Sequence, residues 1–332
     1  MRRVSIDLYR FLLMFSICLL HSITQGGYNI PWMANLFFWC VPGFVFISGW
    51  FSIKFSIIKL IKLYGISFYC AIVYVFFDLF MSGDFERIHT ADIVIRCWRI
   101  ATRQWFLNAY AVLVCLAPIL NLACSKCVLQ LGMGWRSAMQ RLFLVFPVLF
   151  CVWGWSFATT LPIVGELIPP SPGIVAYSSF MMVGVYIGAR LLRLNDDIVQ
   201  EFRKRYQKTT ILLGVICLMC MSFGLNDYNS PFSFLFATIA FYYVRQLDVP
   251  KAIEKFLVWL TPSMFSIYLI HAHGEAWGYL RQIEEQILNS GKFHIGMFLV
   301  TACIIFVISL IMDMPRRMFL WGIRNYFLKM KS

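Results

Sequence analysis

The chain has 332 residues, 60% of them hydrophobic and only 14% charged, with a mean hydropathy of +0.73, far above that of ordinary soluble domains. A formal net charge of +13 would suit nucleic acid only if the cations formed a basic face on a soluble domain; here they sit in short links between long apolar runs, where Lys and Arg report membrane orientation instead. These properties exclude a soluble two-domain protein and a nucleic-acid partner, and predict one all-α integral membrane domain over 1–332.

Splitting the sequence at charges, Pro and Gly gives about ten apolar spans, near 6–24, 32–52, 57–80, 104–123, 142–160, 173–193, 209–225, 231–246, 257–279 and 294–313. The N-terminal MRR ahead of an apolar run has the look of a secretory signal. However, no small-residue cleavage site follows His21 and a charged pair lies inside the run, so it reads as a retained first helix. With the N-terminus in the cytoplasm, most of the 29 Lys and Arg residues fall on inside segments, and only Arg87, Arg96, Arg99, Arg103, Arg281 and Lys292 fall outside. That bias predicts a multi-pass protein with both termini cytoplasmic.

The first span, IDLYRFLLMFSICLLHS over 6–22, carries Asp7, Arg10 and His21. The step from Arg10 to His21 is about three helical turns, with about 20° of drift and a rise of about 16 Å, so both lie on one stripe with Asp7 a turn below Arg10. Ionisable groups in a span are costly, about 2.5 to 3.5 kcal/mol on insertion scales, which makes a buried functional site their default reading. A snorkelling Arg10 paired with Asp7, and an interfacial His21, are the structural alternatives. An imidazole that titrates near neutrality suits a general base.

Further along, ADIVIRCWRIATRQW at 91–105 spaces Arg96, Arg99 and Arg103 on one helical face opposite Ile93, Ile95 and Ile100. This predicts a helix along the membrane surface, either simply solvated or bound to anionic membrane lipid or a lipid-linked sugar phosphate. Trp105 reads as an interfacial aromatic or a substrate platform. In the ninth span, Tyr268 and His271 lie three residues apart, flanked by Ser266 and His273, and form either an interhelical polar cluster or a substrate lining. Asp313 before Pro315 is expected to end the last helix and pair with Arg316 or Arg317. The 11 cysteines lie mostly inside apolar runs, where Cys acts as a small hydrophobe. Two CxxC pairs, Cys124/Cys127 and Cys217/Cys220, lack a partner pair at zinc spacing, so no metal is expected.

The run from Arg10 to His21 behind Ile6-Asp7 resembles the first-span signature of the membrane acyltransferase 3 family of bacterial integral-membrane acyltransferases. GFVFISGWF at 43–51 resembles that family's second-span end, and FSIIKLIKLY at 55–64 sits where it carries an Arg pair, here Lys59 and Lys62. QWFL at 104–107, MMVGVYIGARLL at 181–192, SMFSIYLIHAH at 263–273 and DMPRR at 313–317 resemble later marks in the same order. The resemblance implies a bacterial inner-membrane enzyme that moves an acyl group, most commonly acetyl, from cytoplasmic acetyl-CoA or another acyl-CoA to a hydroxyl of a surface or lipid-linked glycan.

It further implies His21 as catalytic base, Arg10 as its partner at the donor side, and Lys59 and Lys62 facing the donor; Asp7 beside Arg10, and Trp105, Tyr268 and His271 as a substrate lining, are candidates from the residue pattern itself. Lys in place of Arg removes bidentate phosphate recognition and leaves point charges. Two rival functions are a transporter of glycan or lipid-linked sugar, which would show Gly/Pro-broken spans in matching halves, and a membrane glycan polymerase, which usually has a large outer loop.

Overall fold

A computed structural model describes residues 3–25, 30–82, 90–102, 104–131, 170–225, 230–271 and 296–329. No strand occurs among these residues. Helix α1 is Val4–Gln25, α2 Pro31–Asn35, α3 Cys40–Phe51, α4 Ile57–Ser82, α5 Thr90–Thr102, α6 Trp105–Leu131 and α7 Pro170–Leu194. The remainder are α8 Asp196–Arg205, α9 Gln207–Ser222, α10 Pro231–Val244, α11 Lys251–Leu260, α12 Met264–His271 and α13 Met297–Lys329.

Among the described residues, 6 stretches are long and apolar enough to cross a membrane: Val4–Thr24, Pro31–Phe51, Ile57–Phe80, Trp105–Lys126, Lys251–His271 and Phe298–Gly322. The span expected near 173–193 is helix α7, and those near 209–225 and 231–246 are the shorter apolar helices α9 and α10. At 1.5 Å per residue α9 rises about 24 Å, less than a hydrocarbon core of about 30 Å. The expected span at 142–160 lies outside the described residues, as do His89, His273 and His294.

Helix α1 is the axis of the bundle rather than a lipid-facing helix. Tyr9, Leu13, Met14 and Cys18 are fully enclosed. Its hydroxyls tie it to two neighbours: Tyr9 donates to the Ala237 carbonyl at 2.7 Å in α10, Ser5 to the Arg245 carbonyl at 3.0 Å and Ser22 to the Phe298 carbonyl at 3.0 Å in α13. In an apolar medium each such bond satisfies a polar group that lipid cannot.

Close approach of α3 to its neighbours depends on two glycines. A Cβ on Gly49 would stand 2.5 Å from the Tyr186 carbonyl oxygen and 2.9 Å from the Ala189 Cβ of α7, whereas one on Gly43 would meet the side chains of Leu13 and Tyr9 in α1. At the other end of α3, Ser52 takes a left-handed conformation at φ 60° and its N–H closes on the Gly49 carbonyl. The chain leaving the helix is then held from two sides. Ile53 N–H donates to the Tyr186 hydroxyl at 3.0 Å, Asn121 Nδ2 donates to the Ile53 carbonyl at 3.0 Å, and the Tyr186 hydroxyl donates to Asn121 Oδ1 at 2.9 Å.

Three sequence expectations need correction. Helix α5 does not stand apart as a surface helix: Ile93, Cys97, Ile100 and Ala101 pack against Phe68, Ala71, Val75 and Leu79 of α4. Ser67 bonds the Ala101 carbonyl at 2.9 Å and Arg96 pairs with Asp78 at 2.6 Å, so the two helices run antiparallel. The row of small and branched residues fits the groove of α4, which leaves Val94, Ile95 and Trp98 exposed on the far side. Second, the ninth span starts at Lys251 and is broken by a single 3-10 turn over Thr261–Ser263, because Pro262 cannot donate to the helical ladder.

Third, α13 continues through Pro315 to Lys329. Asp313 is enclosed and receives both Nε and Nη2 of Arg316, at 2.7 and 2.8 Å, as the pairing expectation held. Pro315 removes one backbone donor and crowds the turn before it, and a side chain of α4 fills the opened turn. The Tyr69 hydroxyl accepts from the Arg316 N–H at 3.3 Å and donates to the Met312 carbonyl at 2.9 Å.

Gly49→Ala is expected to lower thermal stability in detergent by about 1 to 3 kcal/mol, and more than Gly43→Ala, since the Gly49 neighbour is backbone and the Gly43 neighbours are side chains that can turn. Fluorescence-monitored melting of the two variants checks the order. Tyr69→Phe strands two backbone groups of α13 and is expected to cost about 1 to 3 kcal/mol by the same measurement.

Candidate active site

Asp7 has no exposed surface, and its Oδ1 takes Nη1 of Arg10 at 2.7 Å one turn above. The i to i+3 spacing places both on one face of α1, so the carboxylate fixes the guanidinium where three cavities meet. Asp7 therefore positions Arg10; it lines none of the three cavities itself.

The inner cavity holds about 390 Å³ and follows Arg10, Met14 and Ile17 along α1. Its walls are Ile47 and Ser48 of α3, Leu63 and Ile66 of α4, Phe106 and Tyr110 of α6, and Phe265 and Tyr268 of α12. Its polar atoms are few: the Ser48 and Tyr110 hydroxyls lie 3.3 Å apart, beside Arg10. A second cavity of about 560 Å³ opens beyond Arg10 between Phe51, Ser52, Ile53, Lys54 and Lys59, and forms a lysine mouth. The third, about 350 Å³, lies on the other side of Phe51 and is walled by Arg3, Arg10, Trp50, Arg193 and Arg245.

At the far end of α1, His21 and His271 come together with ring centroids 5.0 Å apart. Tyr268 stands edge-on to His271 at 6.0 Å and to Phe106 at 5.4 Å. Tyr268 therefore lines the inner cavity, whereas neither imidazole does; the pair stands one side chain beyond Tyr268. His271 Nδ1 lies 2.6 Å from the Ile267 carbonyl. A carbonyl only accepts, so this contact places the proton on Nδ1 and, in the neutral ring, leaves Nε2 with its lone pair.

The sequence-derived candidates are distributed as follows. Arg10 and Tyr268 line the inner cavity, and Lys59 lines the lysine mouth, its ammonium within 3.5 Å of the Lys54 carbonyl. Lys62 is exposed and lines neither. Trp105 is half-buried and packs edge-on against Phe106 at 5.8 Å; Phe106 is the member of that pair on the cavity wall. Sequence reasoning missed Ser48, Phe106 and Tyr110. Ser48 lies inside the GFVFISGWF mark, which was the available signal, whereas nothing local distinguishes Tyr110 from other aromatics of the span. Among the described residues no group of three or more His, Cys, Asp or Glu side chains is placed to hold a metal ion.

Residues 3–325 match the family model described as an acyltransferase domain, acyltransferase 3. The match covers essentially the whole chain, and the protein belongs to that family. No curated protein and no solved structure matches the chain in the corresponding searches. The bundle of long apolar helices and the family together define a multi-pass membrane acyltransferase.

Proposed function

We propose that the protein is an O-acetyltransferase of the bacterial inner membrane, which moves the acetyl group of acetyl-CoA to a hydroxyl of a surface or lipid-linked glycan. The observation that carries this reading is the apolar passage running from the Asp7-held Arg10 to Tyr268, with the His21–His271 pair behind it. Family membership favours acyl transfer over the transport and polymerase alternatives. The end bearing Lys54 and Lys59 is the cytoplasmic one in this reading, consistent with the Lys/Arg bias.

The donor enters past Lys59 and Arg10, and its pantetheine arm lies along Met14, Ile17 and Phe106, walls that suit methylenes and exclude water. The rise of about 16 Å between Arg10 and His21 is of the order of such an extended arm. A passage that closes on Tyr268 favours a short acyl group. The acceptor approaches from the imidazole side.

His21 takes the hydroxyl proton as the oxygen attacks the thioester carbonyl. The carbon–oxygen bond forms, the carbon–sulfur bond breaks, and the leaving thiolate takes the proton back from the His21 imidazolium to give CoA. A donor held beside the developing oxyanion stabilises it, a task open to the Tyr268 hydroxyl at the cavity end. The Nδ1–H tautomer of His271 supports a second assignment, in which His271 Nε2 is the base and His21 its neighbour.

His21→Ala is expected to lower transfer by about 10²- to 10⁴-fold while membrane level and melting stay unchanged, read by labelled acetyl transfer in nanodiscs and by loss of an acetyl-sized mass from surface glycan. Full activity in His21→Ala together with loss in His271→Ala would move the base to His271. If neither change affects transfer, the imidazole pair is not the reaction centre. Tyr268→Ala removes the side chain between the cavity and the imidazoles, and is expected to raise the ratio of free acetate to acetylated glycan by admitting water to the thioester. An unchanged ratio would show that Tyr268 does not separate the two sides.

A further inference from the structure

The arginine-walled cavity is the most highly charged of the three cavities. Arg3, Arg10, Arg193 and Arg245 line it with Trp50 and Phe51, around about 350 Å³, a volume within the range of small-molecule sites. Two of these arginines are set in place before any ligand arrives. Arg245, almost fully enclosed, gives Nη1 and Nη2 to the carboxylate of Asp196 at 2.9 and 2.8 Å, and Arg193 gives Nη1 to the same carboxylate at 3.1 Å. Both guanidinium groups also lie over the Trp50 ring, at 4.9 and 5.2 Å from its centroid.

Asp196 cannot satisfy this pair alone, because two carboxylate oxygens face two guanidinium forks of five donors each. Burial works against the ionised Asp196 carboxyl, but the Arg245 hydrogen bonds and charge outweigh it and hold the carboxyl below its ordinary range. The pairing is therefore complete above the usual carboxylate range and is lost only as pH falls through the lowered value. At neutral pH, Asp196 and Asp7 balance two of the four cations. The remaining charge, carried on rigid planar donors, is that of a site for a polyanion with several phosphate oxygens.

We propose that this cavity binds the phosphorylated adenosine end of coenzyme A, with Arg3, Arg193 and Arg245 as phosphate ligands. The proposal rests on the acyl-CoA reading above. Arg10 belongs to this cavity and to the inner one, so a nucleotide seated among the arginines has its pantetheine arm one side chain from the passage. The lysine mouth is the poorer phosphate site, since Lys54 and Lys59 are exposed point charges.

The test uses the full chain in phosphatidylcholine nanodiscs. Calorimetric titration with adenosine 3′,5′-bisphosphate is expected to show binding that weakens about tenfold or more in Arg3→Ala and Arg193→Ala, and to a smaller degree in Arg193→Lys. In turnover, the same two alanine variants are expected to raise KM for acetyl-CoA, with kcat and the KM for acetyl-pantetheine unchanged. Equal affinity in wild type and variants, or a loss seen in Lys59→Ala instead, overturns the proposal. Abolition of bisphosphate binding by added phosphatidylglycerol also overturns it, and assigns the cavity to a lipid headgroup. The binding arm needs no turnover. Arginine-dependent binding without acetyl transfer would retain the site and remove the O-acetyltransferase reading, whereas transfer without arginine dependence would do the reverse.

Discussion

A guanidinium one-third of the way along a transmembrane helix needs a partner, and in this protein that need organises the basic half of the bundle. Asp7 is enclosed on every side and meets Arg10 at 2.7 Å. Such a pair gains little net stability over apolar packing, but removing one member leaves an uncompensated charge, so the two must stay together. The hydroxyls of Ser5, Tyr9 and Ser22 lock α1 against its neighbours, which prevents the pair from rotating toward lipid. Arg10 is consequently held where the inner cavity, the lysine mouth and the arginine cavity adjoin. A single ion pair thus sets the junction of the three described cavities.

The imidazole end is built by different means. There the polar groups are brought together by ring packing, with His21 against His271, His271 against Tyr268, and Tyr268 against Phe106. A stack of rings from three helices positions its members by shape. The two halves of the site therefore differ in character, ionic at one end and aromatic at the other, with an apolar run of Met14 and Ile17 between.

Much of this could be read from residues in one helix and little from residues in several. The stripe from Arg10 to His21 follows from 3.6 residues per turn, and the long apolar runs announce the helices that appear at those places. At Pro262 and Pro315 the outcome depended on tertiary partners: Pro262 gives a 3-10 turn, whereas at Pro315 the Tyr69 hydroxyl fills the opened turn and the helix continues. For α5 the amphipathic pattern was real, but its inward row met the groove of α4 rather than the membrane boundary. The meeting of Arg3, Arg193 and Arg245 was invisible because loop cations in a membrane protein read as orientation signals, and nothing in the sequence joins the ends of α1, α7 and α10. Lys62 shows the converse, a residue with the right position in a motif whose side chain turns away from the cavities.

The Tyr69 hydroxyl in the opened turn of α13 has a mechanical consequence. Beyond that turn, Arg316 Nη2 reaches the Pro262 carbonyl at 3.1 Å and Arg317 Nη1 reaches Ser263 Oγ at 3.3 Å, so the lower segment of α13 grips the short turn from which α12 rises. Helix α12 carries Tyr268 and His271. A phenol on α4 and two arginines on α13 thereby hold the foot of the helix whose other end carries His271, so the seat of that ring against His21 depends on contacts made at the far end of α12.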